Sequence, residues 1–265
     1  MDSYIRQAKW QQALNTIGFV VTIIVNGLAN GLPLNGKTTG EILDSYPNLF
    51  APAGITFAIW GGIYVGLGLF IIYQLGFLSK GKKGHFDIVS RIGWSFVIAS
   101  VANSLWIFAW HYDKIILSVI IMFALLTSLI DIYEKLSKRQ TFSIVEKITV
   151  KWVFSVYLSW ISVATIANII VFLVSVNCGG FGIPPQVWTM LVILVATALT
   201  LRFVFYKKDM PYALVTLWAF LGILIKHLTF FGGEYKGIII MTAFCMMLIF
   251  ASIYSIPKGF QMQGR

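Results

Sequence analysis

The chain has 265 residues, of which 58% are hydrophobic and 11% are charged, and its mean hydropathy is +0.83. A water-soluble domain carries about a quarter charged residues, so this composition excludes an ordinary soluble enzyme and predicts an integral membrane protein. In such a protein we attribute the net charge of +10 to lysines and arginines concentrated in cytoplasmic loops. We therefore expect no nucleic-acid partner.

Eight apolar stretches are each long enough to cross a bilayer, which takes about 20 residues. They cover residues 11–32, 53–78, 90–110, 114–133, 148–176, 186–206, 211–230 and 236–256. The predicted fold class is therefore an all-α integral membrane protein with about eight transmembrane helices.

The distribution of cations predicts that both termini lie in the cytoplasm. With the amino terminus inside, sixteen of the 20 lysines and arginines fall in inner segments. The outer segments hold only Lys37, Lys114, Lys226 and Lys236. This bias agrees with the positive-inside rule, which a seven-span arrangement would not satisfy.

A long outer loop and a glycine-rich joint divide the chain. The loop over residues 33–52 is longer than two adjacent helices need, and we expect either a lid or a disordered tether. The joint at residues 179–182 precedes Pro184 and predicts a domain boundary. The two predicted domains are a five-helix transmembrane domain, residues 1–178, and a three-helix transmembrane extension, residues 179–265.

Residue types that carry catalysis and metal binding are sparse inside the spans. All 10 carboxylates fall at helix ends or in loops, and the 3 histidines map near the interface without metal-ligand spacing. Lys226 is expected to extend toward the lipid headgroups rather than to form a Schiff base. We expect no metal, no cofactor and no catalytic residue. An intramembrane enzyme acting on an isoprenoid or pigment stays open, although the missing buried carboxylates argue against it.

Three spans each carry a stripe of aromatic and neutral polar side chains at helical spacing. The stripes comprise Phe57, Trp60 and Tyr64 in the second span, Asn103, Trp106 and Trp110 in the third, and Tyr157, Trp160, Ala164 and Asn168 in the fifth. An indole or amide facing lipid would be unsatisfied, so the stripes should face the interior. They indicate either packing with hydrogen bonds between helices or a pocket for a large planar, apolar ligand.

These stripes resemble motifs of the TspO/translocator protein family, also called tryptophan-rich sensory proteins, over about residues 10–175. The stretch from Pro52 to Tyr64 is similar to the family's proline-rich loop end and V-W-x-x-L-Y motif. Asn103 and Trp106 are similar to its L-N-x-x-W pattern. Residues 157–168 are similar to its P-Y-L-x-W-x-x-x-A-T-x-L-N pattern. The resemblance implies that the first five helices form a TspO-like bundle. The last three helices have no counterpart in this five-helix core.

The resemblance also implies a membrane-embedded sensor or carrier for a hydrophobic, planar ligand such as a tetrapyrrole or sterol. Tryptophans would stack on the ligand, asparagines would supply hydrogen bonds, and Ala164 would leave room. The expected partners are the lipid bilayer, a hydrophobic small molecule such as porphyrin or haem, and a second copy of the chain in a homodimer. The expected location is a bacterial plasma membrane. The alternatives are a permease-type transporter of a neutral or apolar solute and a structural membrane subunit.

Overall fold

The structure is a computed structural model that describes residues 2–32, 34–79 and 84–254. Every regular element within these ranges is a helix. Some positions used in the sequence predictions lie outside the described residues. They are Pro33, at the start of the predicted lid loop, and the predicted inner cations Lys80, Lys82, Lys83, Lys258 and Arg265.

The apolar stretches form helices because a segment in lipid must satisfy its backbone hydrogen bonds internally. The helices are α1 (Asp2–Gly31), α2 (Thr39–Asp44), α3 (Ile59–Gln74), α4 (Gly84–Ile92), α5 (Ser95–His111), α6 (Ile115–Ser137), α7 (Ile144–Glu146), α8 (Trp152–Ser175), α9 (Pro185–Lys207), α10 (Met210–Thr229) and α11 (Lys236–Tyr254). A π-helical turn, Lys147–Lys151, joins α7 to α8, and a 3₁₀ turn, Gly54–Ala58, leads into α3.

Within the described ranges, seven helical segments are long and apolar enough to cross a membrane, or eight if α4 and α5 form one bent span. The prediction of an all-α membrane protein is therefore confirmed. The third span differs from the straight helix predicted over residues 90–110, because α4 and α5 meet at a 56° bend. Gly93 at this bend has a φ of +59°, which glycine adopts without steric cost. The cytoplasmic location of both termini stays a prediction.

The chain folds into two compact units. Unit 1 comprises Met1–Thr39 and Ile59–Leu158, and unit 2 comprises Gly40–Ala58 and Ser159–Gln263. The loop after α1 therefore contributes to both units, and the helical segment that contains α8 passes from one to the other. The domain boundary expected between residues 178 and 179 stays a prediction.

Unit 1 is packed around an aromatic centre. In it α5 packs against α6, and α1 packs against α3, α4 and α5. The rings of Phe70, Phe96 and Phe154 are buried and meet edge to face, with centroids 5.0–5.9 Å apart. This is the geometry that aromatic quadrupoles favour, and it fixes α3, α5 and α8 relative to one another.

Unit 2 is held together by hydroxyl contacts between helices. In it α9, α10 and α11 pack against one another. Ser159 Oγ donates to the carbonyl of Tyr212 at 2.8 Å, and the hydroxyls of Thr200 and Thr216 lie 2.9 Å apart. The ring of Phe203 stacks on that of Tyr212 at 3.9 Å. Neutral hydroxyls join helices in a bilayer without the cost of burying charge.

Candidate functional site

A hydrogen-bonded network of neutral side chains lies inside unit 1. Asn26 Nδ2 donates to Asn103 Oδ1 at 2.7 Å, and Asn103 Nδ2 donates to the Tyr157 hydroxyl at 2.9 Å. All three residues are at most 3% exposed. The network joins α1, α5 and α8 through groups that carry no charge, so it is compatible with a position inside the bilayer.

The aromatic part of the candidate site borders this network. The Trp60 ring stacks on Tyr64 at 5.6 Å and meets Tyr157 edge-on at 6.2 Å. The Tyr64 hydroxyl is buried, and no hydrogen-bond partner for it exists among the described residues. Leaving a buried hydroxyl unsatisfied costs about 1–3 kcal/mol. Packing alone therefore gives no reason for a tyrosine rather than a phenylalanine at this position.

The stripe on the third span also faces the interior of unit 1. Trp106 lies one helical turn after Asn103, is 5% exposed, and stacks on Trp110 at 5.4 Å. Trp110 Nε1 in turn donates to the Thr39 carbonyl at 3.1 Å. We define the unit-1 cluster as Trp60, Tyr64, Asn103, Trp106 and Tyr157, the predicted site residues that lie in this unit.

The other four predicted site residues lie in unit 2. Phe57 lies in the 3₁₀ turn before α3, not in an α-helix, and its ring meets that of Trp160 edge-on at 6.0 Å. On α8, Ala164 is half-buried and Asn168 is buried. That all nine residues line one pocket stays a prediction.

In unit 1, His111 holds the first part of the predicted lid loop. Its Nδ1 lies 3.1 Å from the Leu34 carbonyl oxygen, and its Nε2 lies 3.2 Å from Thr39 Oγ1. Asn35 Nδ2 also donates to the His111 carbonyl at 3.0 Å. Sequence reasoning placed this histidine at the membrane interface but gave it no role. The structure shows that it is a buried anchor for the loop.

In unit 2, the far part of the loop runs along α10, and we call residues 44–56 the strap. Lys226 Nζ lies 2.5 Å from Asp44 Oδ1, and His227 Nε2 lies 2.9 Å from the Leu49 carbonyl oxygen. Lys226 is therefore paired with a carboxylate of the strap, and its extension toward the headgroups stays a prediction. Its side chain is 11% exposed, because the carboxylate of Asp44 supplies the compensating charge within the protein.

The strap also makes backbone contacts with α10. Ala53 N donates to the Gly222 carbonyl at 2.9 Å, and Trp218 Nε1 donates to the Thr56 carbonyl at 2.8 Å. The approach is so close at Gly222 that a Cβ there would lie 1.9 Å from Thr56 Oγ1. The described part of the loop is thus fastened along a helix, which argues against a loose tether.

Two further features bear on where a ligand or a metal ion could bind. An apolar groove of about 380 Å³ lies between side chains of α10 and α11, with Trp218 and Phe250 among its walls. None of the nine predicted site residues contributes to it. Within the part of the chain that the structure describes, no group of three or more His, Cys, Asp or Glu side chains could hold a metal ion.

Comparison with known proteins identifies one family. A family model described as TSPO-like protein matches residues 12–255. The match extends through α9, α10 and α11, beyond the range of about 10–175 over which the motifs were apparent. This family model therefore also covers the last three helices, for which the resemblance implied no counterpart in the five-helix core. Searches of curated proteins and of solved structures gave no match.

Proposed function

We propose that the chain, which belongs to the TSPO-like protein family, binds a hydrophobic, planar ligand within the membrane. The family match over residues 12–255 and the apolar helices make it an integral membrane protein, and the family suggests a binding or sensor role. The proposed ligand class is a tetrapyrrole or sterol-like molecule. The proposed role is a sensor or a carrier.

The unit-1 cluster is the observation that carries this proposal. It combines flat aromatic rings with amide and hydroxyl groups, which is the composition of sites for large apolar ligands. The Tyr64 hydroxyl has no hydrogen-bond partner among the described residues, and the Tyr64 ring stacks on the Trp60 ring. A ligand carbonyl or carboxylate that accepted a hydrogen bond from this hydroxyl would offset the cost of its burial.

The same cluster supports a sensor role. Trp60 contacts Tyr157, which accepts a hydrogen bond from Asn103, which in turn accepts one from Asn26. A ligand that displaced the Trp60 ring would therefore disturb contacts on α3, α8, α5 and α1 in sequence. This contact chain is a physical route by which occupancy of the site changes helix packing.

The proposal extends to the setting of the protein. We propose residence in a bacterial plasma membrane and assembly as a homodimer, with lipid around the spans. Membrane fractionation of the host and cross-linking in native membranes test these two points, separately from ligand binding.

The ligand proposal is tested by titrating the detergent-purified protein with protoporphyrin IX and with haem. Tryptophan quenching and the Soret band report binding. Wild type should bind saturably, and Trp60→Ala should weaken binding about tenfold, or about 1.4 kcal/mol. The matched control is Trp94→Ala, because Trp94 is 57% exposed in the same unit, and it should leave the affinity unchanged.

The opposite result has a clear meaning. If wild type and both variants show the same non-saturating partition, the proposed ligand class is wrong. The unit-1 cluster is then helix packing, and the Tyr64 hydroxyl is a tolerated defect.

A further inference from the structure

An exposed apolar row marks the start of the segment that leads into α8. Ile144 is 72% exposed, Ile148 is 43% exposed and Trp152 is 42% exposed. These residues are four apart, so they follow one side of the helical segment. The π-helical turn Lys147–Lys151 lies within this row, and such turns are frequent at functional sites. All of these residues belong to unit 1.

Two lysines adjoin the apolar row. Lys147 and Lys151 each follow an isoleucine of the row by three residues, so each lies beside it on the helical surface. Within the described residues, neither lysine forms an ion pair with a carboxylate. Lys151 Nζ lies 5.9 Å from the centroid of the Phe142 ring. Arg139 lies over the same ring at 5.0 Å, which adds a third positive group nearby.

The carboxylate within this segment is already compensated. Glu146 Oε1 accepts hydrogen bonds from Arg139 Nη2 at 2.9 Å and from the Tyr73 hydroxyl at 2.8 Å. Its Oε2 accepts from the Ser143 backbone N–H at 2.8 Å. Glu146 is 7% exposed, so it does not neutralise Lys147 or Lys151.

Asp87, a second carboxylate close to Arg139, is also engaged. Asp87 Oδ2 lies 2.9 Å from Arg91 Nε and 3.9 Å from Arg139 Nε. Among the described residues, the positive charge of the two lysines therefore has no compensating carboxylate. An exposed tryptophan beside half-buried lysines is typical of the boundary between acyl chains and headgroups.

We propose that this surface binds an anionic phospholipid. Its acyl chain lies on Ile144, Ile148 and Trp152, and its phosphate is held between the ammonium groups of Lys147 and Lys151. Lysines close to the membrane surface attract anionic headgroups. A zwitterionic lipid offers the same chains but carries its own compensating amine. Charge complementarity therefore selects the anionic lipid, and this inference does not depend on the proposed tetrapyrrole site.

The test is native mass spectrometry of the full chain in detergent, titrated separately with dioleoyl phosphatidylglycerol and dioleoyl phosphatidylcholine. Wild type should take up phosphatidylglycerol saturably and in preference to phosphatidylcholine. The double variant Lys147→Gln/Lys151→Gln should bind phosphatidylglycerol about tenfold more weakly. The two single variants should each lose about threefold, so the result does not depend on the double variant folding.

The matched control is Lys114→Gln/Lys236→Gln, which removes the same charge from two exposed positions elsewhere in the chain. It should bind as wild type does. Equal uptake of both lipids by wild type, or equal loss in the test and control variants, would overturn the proposal. Displacement of the lipid by inorganic phosphate at equal concentration would also overturn it, because the site would then be one for free phosphate.

Discussion

The amide network of unit 1 joins buried side chains on separate helices, whereas the strap of unit 2 is held by side chains of α10 that bond to its backbone. The first pattern is seen in the contacts of Asn103 with Asn26 and Tyr157. The second is seen in the contacts of His227 with Leu49 and of Trp218 with the Thr56 carbonyl.

This difference follows from the backbone that each unit must satisfy. A helix satisfies its own peptide groups, so the side-chain pairs of unit 1 add specificity to helices that already exist. The strap has little regular structure, and its buried peptide groups depend on partners in α10. We therefore expect unit 2 to be sensitive to steric fit at Gly222 and unit 1 to be sensitive to the chemistry of Asn103.

The largest expected effect is that of Gly222→Ala. The added Cβ would lie 1.9 Å from Thr56 Oγ1 and 2.9 Å from Pro52 Cβ, so the strap must move. We expect a loss of about 3 kcal/mol in the free energy of unfolding, measured by denaturation in detergent. Gly61→Ala is the control, because a Cβ there meets nothing within 4 Å. Equal effects of the two substitutions would show that the strap does not lie against α10.

The next largest effect is that of Asn103→Leu. It keeps the approximate shape of the side chain but leaves the Asn26 amide and the Tyr157 hydroxyl without this partner. We expect a loss of about 2 kcal/mol, measured by thermal unfolding. Ser104→Ala removes a hydroxyl that bonds only within α5, to Ser100 O at 3.0 Å, and should cost well under half of that. If the leucine variant is as stable as wild type, the amide network has no structural role.

The smallest of the stability effects belongs to the ion pair that fastens the strap. Asp44 is 53% exposed at its side chain, and solvent screens such a pair, so the interaction with Lys226 should be worth about 1 kcal/mol. A double-mutant cycle with Asp44→Asn and Lys226→Gln measures it as the coupling energy. A coupling near zero would mean that the hydrogen bonds of the strap hold it without the ion pair.

The sequence predicted the features that depend on local pattern. Length and hydropathy identified the spans, and helical spacing placed Trp60 and Tyr64 on the same side of α3. The sequence did not predict the contact of Asp44 with Lys226, because 182 positions separate them and neither residue belongs to a periodic pattern. The roles of His111 and His227 were missed for the same reason. Each bonds to a carbonyl in an irregular segment, whose path the sequence pattern does not specify.

The candidate site was predictable in composition and only partly in arrangement. The contact of Trp60 with Tyr157 joins two separate stripes as expected for interior faces. Phe57, in contrast, was assigned to the same helical stripe as Trp60, but the chain turns to a 3₁₀ conformation before α3. Pro52 precedes this turn, and a proline restricts the conformation of the backbone before it. The first residue of α3 is therefore hard to predict from periodicity alone.

The measurement that most directly tests whether the unit-1 cluster is a ligand site compares Tyr64→Phe with wild type. Removing an unpartnered hydroxyl should leave the free protein at least as stable, yet weaken protoporphyrin IX binding about fivefold, or about 1 kcal/mol. Tyr112→Phe, at an exposed tyrosine of the same unit, should change neither quantity. If Tyr64→Phe keeps the wild-type affinity, the ligand does not use this hydroxyl, and the account of the cluster as its binding site is contradicted.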